Sequence, residues 1–308
     1  MIYSRVLITG ANGLVGQALV KLLSTMPVYD VLATGRSSQP RFVGGSCGYV
    51  PLDVTREEAV KQVFMDFAPD VVVHCAAMTK VDRCEQHRDA CWQVNVEAVE
   101  RLARWCHRTG SRLIQLSTDF VFDGTNGPYR EDARPNPVNF YGKSKLAAEN
   151  ATRAAGLDRW SIVRPVLIFG TGSQLSRSNF VLWVVRELTQ GRTIQVVTDQ
   201  FRTPTYAPDL ALGIEKIIRY RKHGLYHLSG RDLVSVHAFA HLIAEAFDLD
   251  PSLIQPTDAS AFSQPAARPA RTGFIILKAE SELGYKPRSL QAALRHLGTQ
   301  LGLPTTAS

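Results

Sequence analysis

Tyr141 and Lys145 stand four residues apart near the start of Tyr141-Gly142-Lys143-Ser144-Lys145-Leu146-Ala147-Ala148-Glu149-Asn150, a run that reads as a helix. That spacing sets a phenol and an ammonium on one helical face. A free tyrosine titrates near pH ~10, too high to exchange a proton readily at neutral pH. A cation held beside it favours the phenolate. Bringing that pKa to about 7 takes ~3 units, or ~4 kcal/mol of preferential phenolate stabilisation. A Tyr-x-x-x-Lys spacing is also common on solvated helix surfaces, so its meaning depends on the rest of the chain.

The opening stretch supplies a context. Val6-Leu7-Ile8-Thr9 is an apolar strand, followed by Gly10-Ala11-Asn12-Gly13-Leu14-Val15-Gly16 and an amphipathic helix. In that setting Gly10 permits a tight turn, Gly13 lets backbone approach a pyrophosphate, and Gly16 lets helix and sheet pack closely. Helix N-terminal amides then face the phosphates of a dinucleotide. Lys145 and the positive ring of an oxidised nicotinamide together would lower the Tyr141 pKa. The second strand ends in Thr34-Gly35-Arg36-Ser37-Ser38, with no carboxylate for a ribose 2′-hydroxyl. Arg36 suits a 2′-phosphate, hence NADP(H), unless it is only an exposed surface arginine. Asp53, after the third strand, either hydrogen-bonds an adenine amino group or caps the following helix.

Leu116-Ser117-Thr118-Asp119-Phe120 places hydroxyls at the C-terminal edge of a strand, where ligands sit in open α/β sheets. Thr118 can donate to a carbonyl oxygen beside Tyr141, while Asp119 serves as a loop anchor. His74 ends another strand and reads as a structural histidine. The small Ala76 and Ala77 after it let a cofactor lie flat against the backbone.

Positioning these residues takes alternating strands and helices. Apolar runs at Val6–Thr9, 31–34, 49–52, 71–74, 112–117 and 161–164 alternate with helical patterns, as in a parallel sheet with crossover helices. One long helix is expected from about Asp89 to Arg108. Beyond Gly170 the pattern loosens. The expected fold is α/β, a doubly wound parallel (Rossmann) sheet with a smaller, interleaved α/β substrate lobe. Residues 1–170 form the NADP-binding part, with roughly 198–221 packing back on it; 171–197 and 222–308 form the lobe.

Composition narrows the classes. The 308 residues are 45% hydrophobic and 20% charged, ordinary for a globular chain with a large core. No apolar run approaches the ~20 residues of a membrane helix, and no cleavable signal is visible. Five cysteines without Cys-x-x-Cys spacing read as reduced thiols of a cytoplasmic protein and give no metal signature. The net charge of +7 suits anionic ligands, but Lys and Arg are scattered, which argues against nucleic acid.

These stretches together resemble the extended short-chain dehydrogenases/reductases, most of all the dTDP-4-dehydrorhamnose reductase family. The resemblance runs through the glycine motif, His74-Cys-Ala-Ala-Met-Thr-Lys-Val-Asp-Arg-Cys-Glu and Ser117-Thr-Asp-Phe-Val-Phe-Asp-Gly. It continues in Tyr141-Gly-Lys-Ser-Lys, Asp199-Gln-Phe-Arg-Thr-Pro-Thr-Tyr and Leu283-Gly-Tyr-Lys-Pro. It implies Thr118, Tyr141 and Lys145 as the catalytic set, NADPH as hydride donor, and a nucleotide-sugar substrate. It extends the cofactor contacts to Asn12, Leu14, Val15 and Val54. It implies substrate contacts from Met78, Thr118, Phe120, Leu167, Asn179 and Arg202. Leu167 stands where the family carries a tryptophan, and Arg202 where it carries a small residue. A guanidinium at 202 either grips the substrate diphosphate or is a solvated loop arginine. An epimerase or dehydratase that keeps its cofactor, and a regulatory subunit like that of methionine adenosyltransferase, are the alternatives. A homodimer remains open.

Overall fold

The computed structural model describes residues 4–42, 46–175 and 178–303. The first half runs β1 (Ser4–Thr9), α1 (Leu14–Leu23), β2 (Tyr29–Gly35), β3 (Gly48–Pro51), α2 (Glu57–Phe67) and β4 (Val71–His74). It continues through the short α3 (Val81–Gln86) and α4 (Arg88–Trp92), then α5 (Ala98–Thr109), β5 (Arg112–Leu116), α6 (Phe140–Ala154) and β6 (Trp160–Arg164). The second half holds β7 (Ile168–Phe169), α7 (Phe180–Thr189), β8 (Ile194–Val197), β9 (Phe201–Arg202), β10 (Thr205–Tyr206), α8 (Ala207–Arg219) and β11 (Gly224–His227). It ends with β12 (Val234–Ser235), α9 (Val236–Ala246), β13 (Ile254–Thr257), α10 (Leu277–Leu283) and α11 (Leu290–Leu301).

Seven parallel strands form one sheet in the order β11-β6-β5-β4-β1-β2-β3. Both faces are covered, and the alternation of side chains shows it. Val6 and Ile8 enter the core beneath α1 and α8, whereas Leu7 enters the core beneath α2 and α5. Val71 and Val73 part from Val72 in the same way. Each such side chain, fully buried, contributes about 1.5–3 kcal/mol of transfer free energy before entropy is charged. A separate apolar core joins α7, α9 and α11 with β8 and β13. Leu167, at φ +38°, packs against both cores where the chain passes between them.

Two expectations need correction. Gly224–His227 was assigned to the lobe, yet it pairs with β6 as the seventh strand of the main sheet. A run of four residues with no repeat carries no record of its neighbours. The long helix expected from Asp89 to Arg108 is interrupted by a π-helical turn, Gln93–Glu97, between α4 and α5. That extra-wide turn brings Asn95 to 1% exposure, where its amide holds both the amide and the carbonyl of Met78. A π turn of this kind gives no periodicity signal of its own.

Candidate active site

Asn139 opens α6. Its Oδ1 accepts from the Gly142 amide at 2.8 Å, which satisfies one of the orphan donors of the helix start. Tyr141 follows in the first turn, 8% exposed, with its ring edge-on to Phe120 at 6.0 Å and packed with Cys84 and Cys91. Gly142 allows that closeness, since a Cβ there would meet the Phe120 carbonyl oxygen at 2.1 Å. The helix therefore sits directly on the turn that carries Thr118. One turn on, the Lys145 ammonium is buried and donates to the Leu116 carbonyl at 2.6 Å. Burial pushes its pKa down to about 8, against the pull of Glu149. Thr118 lies beyond the end of β5. Its hydroxyl donates to Asp119 Oδ1 at 3.2 Å and accepts from the Phe120 amide at 3.3 Å.

Behind the helix lies a buried ion pair that the sequence reading missed. Glu149 takes Arg164 in a bidentate grip, with both distances 2.7 Å, and accepts from Ser117 Oγ at 2.5 Å and Arg153 at 2.9 Å. Burial raises the Glu149 pKa, but the two arginines and Ser117 outweigh it and hold the carboxyl below its ordinary range. The signal was present as an acid one turn beyond Lys145 and an arginine ending an apolar strand.

The glycine turn faces the same cleft. Gly10 adopts φ +66°, and a Cβ there would strike the Ala76 amide nitrogen at 2.6 Å. At Gly13 a Cβ would meet only the Gly10 carbonyl oxygen, at 3.3 Å, so that backbone is open to a ligand. Gly13 is the N-cap of α1, whose first turn carries neither an acid nor a side-chain cap. These are the conditions for a pyrophosphate at a helix N-terminus, so the residues fit a dinucleotide. A cleft of about 250 Å³ is lined by Gly10, Gly13, Leu14, Val15, Gly16 and Ala77 together with Tyr141, Lys145 and Asn179. A larger hollow of about 670 Å³ lies at the opposite end of the sheet, among Asp70, Arg112 and Arg159, away from all of these residues.

Arg36 is exposed. The loop that follows it is stitched down by Asn12, whose Oδ1 accepts from the Arg41 amide and whose Nδ2 donates to the Tyr49 hydroxyl. Tyr49 in turn donates to the Ser37 carbonyl at 2.7 Å. Asp53 Oδ1 accepts from the amide and hydroxyl of Thr55, so it closes a turn before α2. Burial raises its pKa, but the Thr55 bonds and the charges of Arg36 and Arg56 bring the net shift down. The Val54 side chain lies in the apolar core and its carbonyl accepts from Arg101. His74 is structural in part: Nδ1 bonds the Thr9 hydroxyl at 2.7 Å, and burial drives its pKa down to about 3.

Met78 and Phe120 pack against the cluster of Tyr141, Cys84 and Cys91. Asn179 lines the cleft, but its amide is spent on the Gly170 carbonyl and on capping α7 at the Leu182 amide. Arg202 is the clear correction. It is 4% exposed and gives its guanidinium to the carbonyls of Phe201, Pro269 and Ala270 and to Gln200, at 2.7 to 3.2 Å. It also stands 3.8 Å from Asp119 and over the Phe120 ring. With its donors so used, it is neither a diphosphate grip nor a solvated loop arginine. It ties the loop before Thr272 to the Thr118 turn, and only a contact some 67 residues away in sequence reveals that.

Comparison with known proteins gives the family. The RmlD substrate binding domain matches residues 4–302. A dTDP-4-dehydrorhamnose reductase of Streptomyces griseus is 35% identical over 271 residues, covering 86% of this chain and 83% of its own. The methionine adenosyltransferase 2 subunit beta of Bos taurus is 34% identical over 257 residues, covering 82% and 75%. The crystal structure of a Bacillus anthracis dTDP-4-dehydrorhamnose reductase in complex with NADP superposes with a TM-score of 0.86 at 30% identity, covering 97% and 99%.

Proposed function

The chain belongs to the RmlD substrate binding domain family, and on that premise we propose that it is an NADPH-dependent reductase of a nucleotide-linked keto-sugar. The observation that carries the reading is the convergence of Tyr141 and Lys145 with the glycine turn on one cleft. Bound NADPH would supply the hydride. Tyr141 gives its proton to the oxygen of the ketone as that oxygen becomes an alkoxide. Lys145, fixed on the Leu116 carbonyl, holds a positive charge one turn away and favours the phenolate that remains. The Thr118 hydroxyl steadies the reacting oxygen once it turns from Asp119. Phe120, Met78 and the apolar wall around Tyr141 keep water from the proton being moved.

Oxidation of NADPH against a panel of nucleotide 4-keto-sugars tests the reading, with turnover of at least one of them expected. Titrating NADPH into wild type and Arg36→Ala tests the cofactor. A lost charged hydrogen bond to a 2′-phosphate costs ~1.5–3 kcal/mol, about one to two decades of affinity. Equal affinity in both would remove Arg36 from the reading. The methionine adenosyltransferase relative favours a second reading, a cofactor-binding regulatory subunit. It would gain if NADPH bound tightly while no ketone was reduced.

A further inference from the structure

The segment 266–272 ends a Pro/Ala-rich loop, and its contacts reach α3, the cap of α6 and the turn after Thr118. Arg268 pairs bidentately with Asp82 of α3, both distances 2.6 Å, and its guanidinium also donates to the Ala266 carbonyl at 2.5 Å. The Ala266 amide donates to the same carboxylate at 3.3 Å. The next carbonyl, that of Ala267, accepts from Asn139 Nδ2 at 2.7 Å. Asn139 is the N-cap of α6, and its other amide atom holds the Gly142 amide. The next residue, Phe140, donates its amide to Glu85 at 2.9 Å, and Glu85 lies one turn from Asp82 on α3. The contacts therefore close a ring: Asp82, Arg268, Ala267, Asn139, Phe140, Glu85 and back along α3 to Asp82. Tyr141 directly follows Phe140 in α6, and Cys84 of α3 packs on it.

We propose that Arg268 is a positioning residue: by latching the 266–272 segment to Asp82 it orients the Asn139 cap and so fixes where the first turn of α6 presents Tyr141. The physical reason is the double use of one amide group. An N-cap oxygen is effective only when the side chain is held in one rotamer. Here the Nδ2–Ala267 bond holds it, and the Ala267 carbonyl is in place because its neighbours on either side are bound to Asp82. Ion pairing between partly exposed groups contributes little stability by itself. The forked geometry gives direction rather than affinity, so the latch is suited to alignment. Its catalytic consequence rests on the reading of Tyr141 as the proton donor; its structural consequence does not.

Two measurements on the full chain separate these. In hydrogen exchange, Arg268→Ala should speed exchange of the Gly142 amide about tenfold while amides in the middle of α6, such as that of Ala148, keep their rates. In steady-state reduction of the nucleotide keto-sugar, kcat should fall about tenfold with NADPH affinity within twofold. The swapped pair, Asp82→Arg with Arg268→Asp, should restore the larger part of both. Unchanged Gly142 exchange in Arg268→Ala would overturn the proposal. Equal acceleration along the whole of α6 would overturn it too, since that is general loosening. If wild type reduces no ketone, the enzymatic reading fails, and local, swap-restored exchange at Gly142 still carries the positioning role.

Discussion

Two buried arginines flank the α6 region, and they do opposite things with the same guanidinium. Behind the helix, Arg164 is 1% exposed and spends its charge on Glu149 through two bonds of 2.7 Å. In front, Arg202 is just as buried but keeps only a 3.8 Å approach to Asp119, with its donors turned to backbone carbonyls. The carboxylates register the difference. Glu149 stays below its ordinary range because its partners outweigh burial. Asp119 rises because burial is only partly offset by Arg202 and the hydroxyls of Thr272 and Thr118. The rear is a neutralised ion pair that anchors the helix; the front is a carbonyl-gathering brace beside a carboxyl that borders the chemistry.

The largest effect expected is at the front and leaves the rear untouched. Tyr141→Phe should lower kcat by roughly 10²–10⁴-fold, the worth of a positioned proton donor, with NADPH affinity within twofold. Near-normal turnover would dissolve the distinction between a chemical front and a structural rear.

Next in size is the rear itself. Glu149→Ala leaves Arg164 buried beside the His227 and Phe122 rings with no carboxylate, and should cost ~3–5 kcal/mol in urea unfolding. Asp119→Asn should cost about 1–2 kcal/mol, because Arg202 keeps its carbonyl acceptors. Equal losses in the two variants would mean that the arginines play one role, contrary to their geometry.

The smallest effect separates them by pH. The folded Glu149 pKa is depressed, so its stabilisation is present above the unfolded value near 4.5 and is lost as pH falls through the folded value. The folded Asp119 pKa is raised above 3.8, so the folded state takes up its proton first and gains stability as pH falls through that value. Unfolding free energies measured at pH 6 and pH 4 should therefore fall more steeply with acid in Asp119→Asn than in wild type. A shallower fall would reverse the assignment of the front carboxyl.

The front and rear were unequally legible. Tyr141, Lys145 and the glycine turn could be read because each depends on spacing within a single element, one helical turn or one strand–turn–helix. Thr118 could be read from the edge of an apolar strand. Glu149 was legible in principle, one turn beyond Lys145, yet its partner Arg164 comes from the next strand. Arg202 was misread because a loop arginine looks the same whether it meets solvent or three carbonyls. The Asp82–Arg268 latch joins residues 186 apart in sequence, and no local pattern marks either partner.

What the sequence by itself determined is whatever follows from period and backbone freedom. Alternating apolar runs make strands buried on both faces, glycines at Gly10 and Gly13 open a helix N-terminus to an anion, and a four-residue step sets a phenol near an ammonium. The tertiary structure alone decided which of several chemically equal groups are spent. Desolvation forces every buried donor and charge to find a partner, and the partner within reach is set by how distant segments meet. The same arginine thus becomes the counter-ion of a helix at 164, a brace for a loop at 202 and a latch at 268.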